Sequence, residues 1–224
     1  MISPAILQLV SPSLPVGAFS YSEGLEFMAQ AKNISNESEV FNWLEGELLR
    51  GQLKIEAASL SPMMDCLDNW RTKRTSHGAS QVYEWDSWLL ALRDSKEIRS
   101  QQRQMGASLL KLLADLDHPL PNQSTDLAWP LAWSWAGLSL SLPKIDVVQG
   151  YLYGWVANQL SASLRLLPFG PNKVQGMQLK LLPLISSQAK LLLNQNPRNL
   201  WTGDVGATMA QQSHRELYSK LFRS

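Results

Sequence analysis

Cysteine is nearly absent: Cys66 is the only one in 224 residues. No intrachain disulfide can form, and neither a Cys-based zinc site nor an iron–sulfur cluster can be built from this chain alone. A reducing, cytoplasmic compartment is the expected setting. An excess of one charge is missing too, since 20 Lys and Arg stand against 19 Asp and Glu. That balance gives no electrostatic footprint for nucleic acid or an anionic membrane surface. The longest uncharged stretch, Leu127 to Pro143, is broken by Pro130 and three serines and falls short of the ~20 apolar residues a membrane span needs. Met1-Ile2-Ser3-Pro4 lacks the basic segment of a secretory signal, and no Arg-rich leader follows it.

Catalytic signatures are equally scarce. Neither a G-x-x-x-x-G-K-[S/T] phosphate loop nor a G-x-G-x-x-G turn occurs, so nucleotide binding has no basis in the sequence. H-E-x-x-H is absent, and His77, His118 and His214 share no ligand spacing. No serine sits in a G-x-S-x-G elbow. Asp65 and Asp68 form a lone D-x-x-D, which reads as a solvated helix end before it reads as an ion site. These absences lead to the expectation of no catalytic residues, no metal ligands, no cofactor and no enzyme activity.

What the chain has is helical periodicity. No period-2 alternation is long enough for a strand, so the expected fold is all-α. It is a single-domain bundle of about eight to ten helices over residues 1–224, with 1–20 an N-terminal arm and turn and 204–224 a docking helix or tail. Pro4, Pro12, Pro15 and Gly17 frame a short helix and a stiff turn. Ser20-x-x-Glu23 matches a capping box for a helix to about Ala31 or Lys32. Asn36 and Glu39 repeat that signal before the stripe Val40, Trp43, Leu44 and Leu48, on a helix that can continue, straight or kinked, past Gly51 to Pro62. Arg71 to Ser80, basic and rich in Ser and Thr, is the loop and local-disorder candidate. Ile98 to Leu116 is a long helical run. Pro130 can start a short helix, Asp146 can cap the next, and Asn172 opens one kinked at Pro183. Six tryptophans, among them Trp129, Trp133 and Trp155, fall on apolar faces and read as core, whereas Trp70 and Trp201 suit an interface.

Two segments exceed what packing requires. In Gly17-Ala18-Phe19-Ser20-Tyr21-Ser22-Glu23-Gly24-Leu25-Glu26, a turn and a cap leave Tyr21, Gly24 and Glu26 unexplained. A glycine one turn into a helix, costing about 1 kcal/mol, implies the close approach of another backbone or a partner. At the other end, Tyr218, Leu221 and Phe222 are interleaved with Lys220 and Arg223. That strip either docks on another surface or packs as a last helix on the chain's own core.

Leu7 to Glu26, together with the closing Y-S-K-L-F-R-S, resembles the UreF family of urease accessory proteins. The middle agrees in order: Glu97-Ile98-Arg99, then Arg103-Gln104-Met105-Gly106, then Tyr151 through Trp155, Asn158 and Gln159 to Leu167-Pro168-Phe169-Gly170. The resemblance covers nearly the whole chain. It implies a helical homodimer, not an enzyme, that bridges the D protein (H in some systems) and the nickel-carrying GTPase G. In that role it couples GTP hydrolysis to nickel insertion into apo-urease. It also implies that His214, Tyr218, Lys220, Leu221, Phe222, Arg223 and Ser224 bind D, with Leu221 and Phe222 exposed. Ser20, Tyr21, Glu23, Gly24 and Glu26 would lie near the surface facing G. Ser213-His214-Arg215 and Lys220 depart from the family's usual Arg-His-Glu and Arg, and lysine cannot reproduce a bidentate arginine contact. A cofactor-free helical enzyme and a helical adaptor of another pathway remain the alternatives.

Overall fold

The computed structural model describes residues 3–73, 75–122 and 126–224. Met1 and Ile2 of the N-terminal reading and Arg74 of the loop reading lie outside the described residues. Among those described, ten α-helices and three short 3-10 turns carry the chain, with no strand. All-α, as the periodicity requires, is therefore the fold class.

Helices α1 (Pro4–Leu9) and α2 (Leu25–Gln30) flank the Pro-rich arm. The capping box expected at Ser20 and Glu23 does not form. Gly24, at φ 93°, precedes α2 with no side-chain cap, and Glu23 itself adopts φ 52°, so its carboxylate turns away toward other partners. The signal at α3 (Glu37–Arg50) is genuine, because Asn36 Oδ1 accepts from the Glu39 amide at 3.1 Å. Val40, Leu44 and Leu48 then face the core.

Helix α3 stops at Gly51, and α4 (Leu53–Lys73) begins two residues later. Pro62, expected to end this helix, lies inside α4. Leu60, Met63, Met64 and Leu67 are buried on either side of it, so tertiary packing overrides the missing amide. The expected loop at 71–80 is a helix junction instead. Thr75 Oγ1 accepts from the Gly78 amide at 3.1 Å to cap α5 (Ser76–Ala91). A Cβ on Gly78 would meet Trp70 Cα at 3.2 Å. This close crossing buries Trp70, which the sequence suggested for an interface.

Helix α6 (Lys96–Asp115) and α4 enclose α7 (Trp129–Ser139), which is why α7 is apolar on nearly every side. Asp86 on α5 fixes its start, accepting from the Ala128 amide at 2.7 Å and pairing with Arg103 of α6 at 2.5 Å. Helix α8 (Lys144–Leu166) starts from Pro143 rather than from Asp146, which sits in its first turn where a carboxylate still complements the dipole. Helix α9 (Pro171–Leu192) packs against α8 and runs through Pro183. After α10 (Val205–Ser213) and a 3-10 turn at His214–Glu216, the helix expected through Phe222 is absent and the chain is irregular. One hydrophobic cluster extends from Ile6 to Phe222. No helix among the described residues is long and apolar enough to cross a membrane.

Two predictions arise from this packing. A Cβ on Gly106 of α6 would fall on the Leu127 carbonyl oxygen, whereas one on Gly176 of α9 meets open space. Gly106→Ala should destabilise by about 1–3 kcal/mol through overpacking. Gly176→Ala should stabilise by up to about 1 kcal/mol through helix propensity. Melting temperatures should therefore move in opposite directions, by about 2–4 °C per kcal/mol.

The second concerns Glu47, which lies over Gly51. Burial first, then the Asp204 and Glu23 carboxylates, push its pKa up to about 8, against the opposing pull of Arg93 and Arg50. Between its ordinary 4.5 and about 8, the folded state holds a proton that the unfolded state releases. Stability from this group is thus present at low pH and is lost as pH rises through that window. Glu47→Gln should flatten the decline in melting temperature between about pH 5 and about pH 8.5.

Candidate functional site

The two unexplained segments meet. Glu26, on the first turn of α2, is buried, and its Oε1 accepts from the Leu221 amide at 2.6 Å while Oε2 accepts from the Phe222 amide at 3.0 Å. His214 Nε2 lies 2.9 Å from the same Oε2. A buried carboxylate is tolerated when donors surround it, and here the tail supplies them.

Further tail bonds run to the same segment. The Arg223 amide donates to Ser20 O at 2.8 Å. The Ser224 carbonyl accepts from the amides of Ser22 at 2.8 Å and Glu23 at 3.1 Å, and from Ser22 Oγ at 2.6 Å. Glu23 and Gly24 take left-handed backbone directly after these amides. Gly24 is required for a second reason: a Cβ there would meet Ala210 Cβ and the Gln211 amide nitrogen, each at 3.0 Å. The backbone that approaches this glycine is thus the chain's own α10.

Helices α6 and α8 hold the joint from behind. Ser224 Oγ donates to Gln101 Oε1 at 2.7 Å, and Gln101 Nε2 donates to Glu23 Oε1 at 2.6 Å. Trp155 Nε1 donates to Glu23 Oε2 at 2.9 Å. Tyr21 OH donates to Gln104 Oε1 at 2.7 Å, and Asn158 Nδ2 donates to Tyr21 O at 3.3 Å. Arg165 stacks 4.3 Å above the Phe222 ring and donates to Phe19 O. Sequence reasoning placed Gln104 and Asn158 in motifs without assigning them work, read Trp155 as core, and passed over Gln101 and Arg165. The available signal was a polar side chain recurring on an otherwise apolar helix face.

The docking strip is therefore divided. Phe222, expected to be exposed, is 3% accessible and belongs to the core, and His214 and Ser224 are buried with it. Tyr218 and Leu221 project outward, Leu221 at 53% accessibility, and Lys220 and Arg223 are exposed beside them. Of the N-terminal set, Tyr21, Gly24 and Glu26 are buried, leaving Ser20 and Glu23 partly accessible. Two surfaces expected to be separate form one composite surface around the tail. Trp201, which the sequence suggested for an interface, is exposed.

Beneath this joint lies a second polar group. Glu56 Oε1 accepts from Arg93 Nη2 at 2.5 Å and Gln102 Nε2 at 3.2 Å, and Oε2 accepts from Tyr151 OH at 2.7 Å. Burial pushes the Tyr151 hydroxyl well above its ordinary pKa, with the Glu56 charge adding to the shift. Burial opposes the Arg93 charge, yet the Glu56 and Glu23 carboxylates hold the guanidinium above its usual value. For metals, no group of three or more His, Cys, Asp and Glu is placed to hold an ion among the described residues. Burial, then Glu84, pushes the Cys66 thiol up to about 11, which keeps it protonated.

A family model described as UreF matches residues 34–182. The urease accessory protein UreF of Prochlorococcus marinus subsp. pastoris (strain CCMP1986 / NIES-2087 / MED4) is 40% identical over 218 residues, covering 96% of each chain. Those of Synechocystis sp. and Microcystis aeruginosa are 36% and 34% identical, covering 98% of this chain and 96% of theirs. The chain belongs to the UreF family. The span matched by the UreF model takes in α3 to α8 and part of α9; the joint between residues 20–26 and the tail lies outside it.

Removing the tail tests its packing. Deleting Lys220 to Ser224, or Phe222→Ala alone, should lower the melting temperature, since truncating a buried Phe costs about 3–5 kcal/mol. Leu221→Ala, at an exposed position, should leave it within about 1–2 °C.

Proposed function

We propose that this chain is a non-catalytic adaptor in urease maturation. As a cytoplasmic homodimer it bridges the D (H) protein and the GTPase G and couples GTP hydrolysis to nickel delivery into apo-urease. Family membership supports the accessory role. The observation that carries the finer reading is the division of the tail. Buried Phe222, His214 and Ser224 anchor a segment whose exposed Tyr218, Lys220, Leu221 and Arg223 face outward. An anchored strip loses less conformational freedom on binding than a free tail, which favours a stable contact.

In this reading D meets Tyr218 and Leu221, with Arg223 and Lys220 setting orientation. Because tail and N-terminal segment share hydrogen bonds, occupancy by D at the tail bears directly on the surface offered to G at Ser20 and Glu23. Nickel is cargo in this scheme and does not reside on this subunit.

Pull-down against D and G, with reconstituted urease activation as the readout, tests the proposal. Tyr218→Ala combined with Leu221→Ala should weaken D binding by about tenfold or more, from the apolar burial lost at two contacts, with an unchanged melting temperature. Full D binding by this double variant would reject the docking strip. Urease activation proceeding equally well without the chain would reject the adaptor role.

A further inference from the structure

Gln101 of α6 belongs to neither terminal segment, yet side chains from both converge on it. We propose that Gln101 is a positioning residue for the adaptor role: through it, a seated tail sets the Glu23 carboxylate that is offered to G. The proposal rests on the reading of the chain as an adaptor between D and G.

The chemistry of the bridge fixes its direction. Gln101 is 3% accessible. The Glu23 carboxylate can only accept, so the Gln101 atom 2.6 Å from its Oε1 is Nε2. The other end of the amide, Oε1, then takes its hydrogen bond from Ser224 Oγ, 2.7 Å away. Reversing the amide would set its oxygen against the carboxylate, so one orientation alone satisfies both ends.

The other bonds between tail and N-terminal segment do not reach this carboxylate. Arg223 and Ser224 meet the main chain of Ser20, Ser22 and Glu23 and the Ser22 hydroxyl, while Leu221 and Phe222 meet Glu26. The Glu23 oxygens are held from elsewhere: one by Gln101, the other by Trp155 Nε1 of α8. Of these two donors, Gln101 is the one that also touches the tail.

Lifting the tail leaves Gln101 Oε1 as a buried acceptor without a donor, which is a disfavoured state. The amide then swings to find another partner, and Glu23 keeps the indole bond alone and pivots about it. Glu23 is partly accessible, so the change is expressed at the surface. By linkage, whatever clamps the tail in its seat also clamps the carboxylate, and a partner that grips the carboxylate holds the tail.

The Trp155 indole N–H reports where the carboxylate stands, because its acceptor is Glu23 Oε2 at 2.9 Å. Ser224→Ala removes the hydroxyl and keeps the main-chain carbonyl. In the purified full chain it should shift the Trp155 indole signal in proton–nitrogen NMR, assigned by its loss in Trp155→Phe. Gln101→Met, similar in length and without an amide, should shift the same signal and abolish its response to Ser224→Ala. With the partners added, bound D should raise the affinity of the wild-type chain for G by about fivefold or more. Both Ser224→Ala and Gln101→Met should bring that ratio down toward one, and Ser224→Ala carries the test by itself if Gln101→Met does not fold. No shift on Ser224→Ala, a response undiminished in Gln101→Met, or a ratio left intact by the variants overturns the proposal. A wild-type chain that binds neither D nor G rejects the adaptor reading instead, and the NMR response still decides whether Gln101 links tail to carboxylate.

Discussion

A carboxylate withdrawn from water must be met by donors, and at Glu26 this one requirement organises the chain's ends. Its two oxygens take the amides of Leu221 and Phe222 and face His214. The tail cannot continue as a helix and make those contacts, because helical amides at 221 and 222 would point back along their own axis. The bonds to Glu26 therefore draw the chain out of helix after Glu216, seat the Phe222 ring under Arg165 and bring Ser224 onto the amides of Ser22 and Glu23. The left-handed backbone at Glu23 and Gly24 belongs to the same segment, and at Gly24 it falls on the one residue type that adopts it freely.

The two terminal segments are physically coupled. Side chains expected to serve two partners are joined by direct hydrogen bonds, so neither surface can be reshaped without loading the other. Gln101 extends this coupling inward. It links Ser224 to Glu23 through opposite ends of one amide, and Glu23, Glu56 and Tyr151 line one cavity of about 190 Å³. Hydrogen bonds thus run from the tail through Gln101 to Glu23. Buried networks of this kind specify a single arrangement so long as their members stay satisfied.

Local signals in the sequence were legible where a single residue decides the outcome. Asn36 caps α3, Pro130 opens α7, and the stripe Val40, Leu44 and Leu48 faces the core. They failed where neighbours in space outweigh neighbours in sequence. Pro62 reads as a helix end, but the apolar contacts around it hold α4 together. Thr75 and Gly78 read as loop, yet they are a cap and a close crossing over Trp70. Ser20 and Glu23 match a capping box by spacing, but Glu23 makes two bonds to Gln101 and Trp155 instead.

By itself the sequence determined the helical class, the presence of a single cysteine without a phosphate-loop motif, and the two terminal segments that exceed packing needs. Each follows from composition or from spacing along the chain, and these survive any folding. Only the tertiary structure decided that the two segments are one surface, that Phe222 is anchor and Leu221 rim, and that the backbone close to Gly24 is α10. Glu26 and Phe222 lie 196 residues apart. No periodicity reports a contact across that separation, because it exists only once the helices between them have packed.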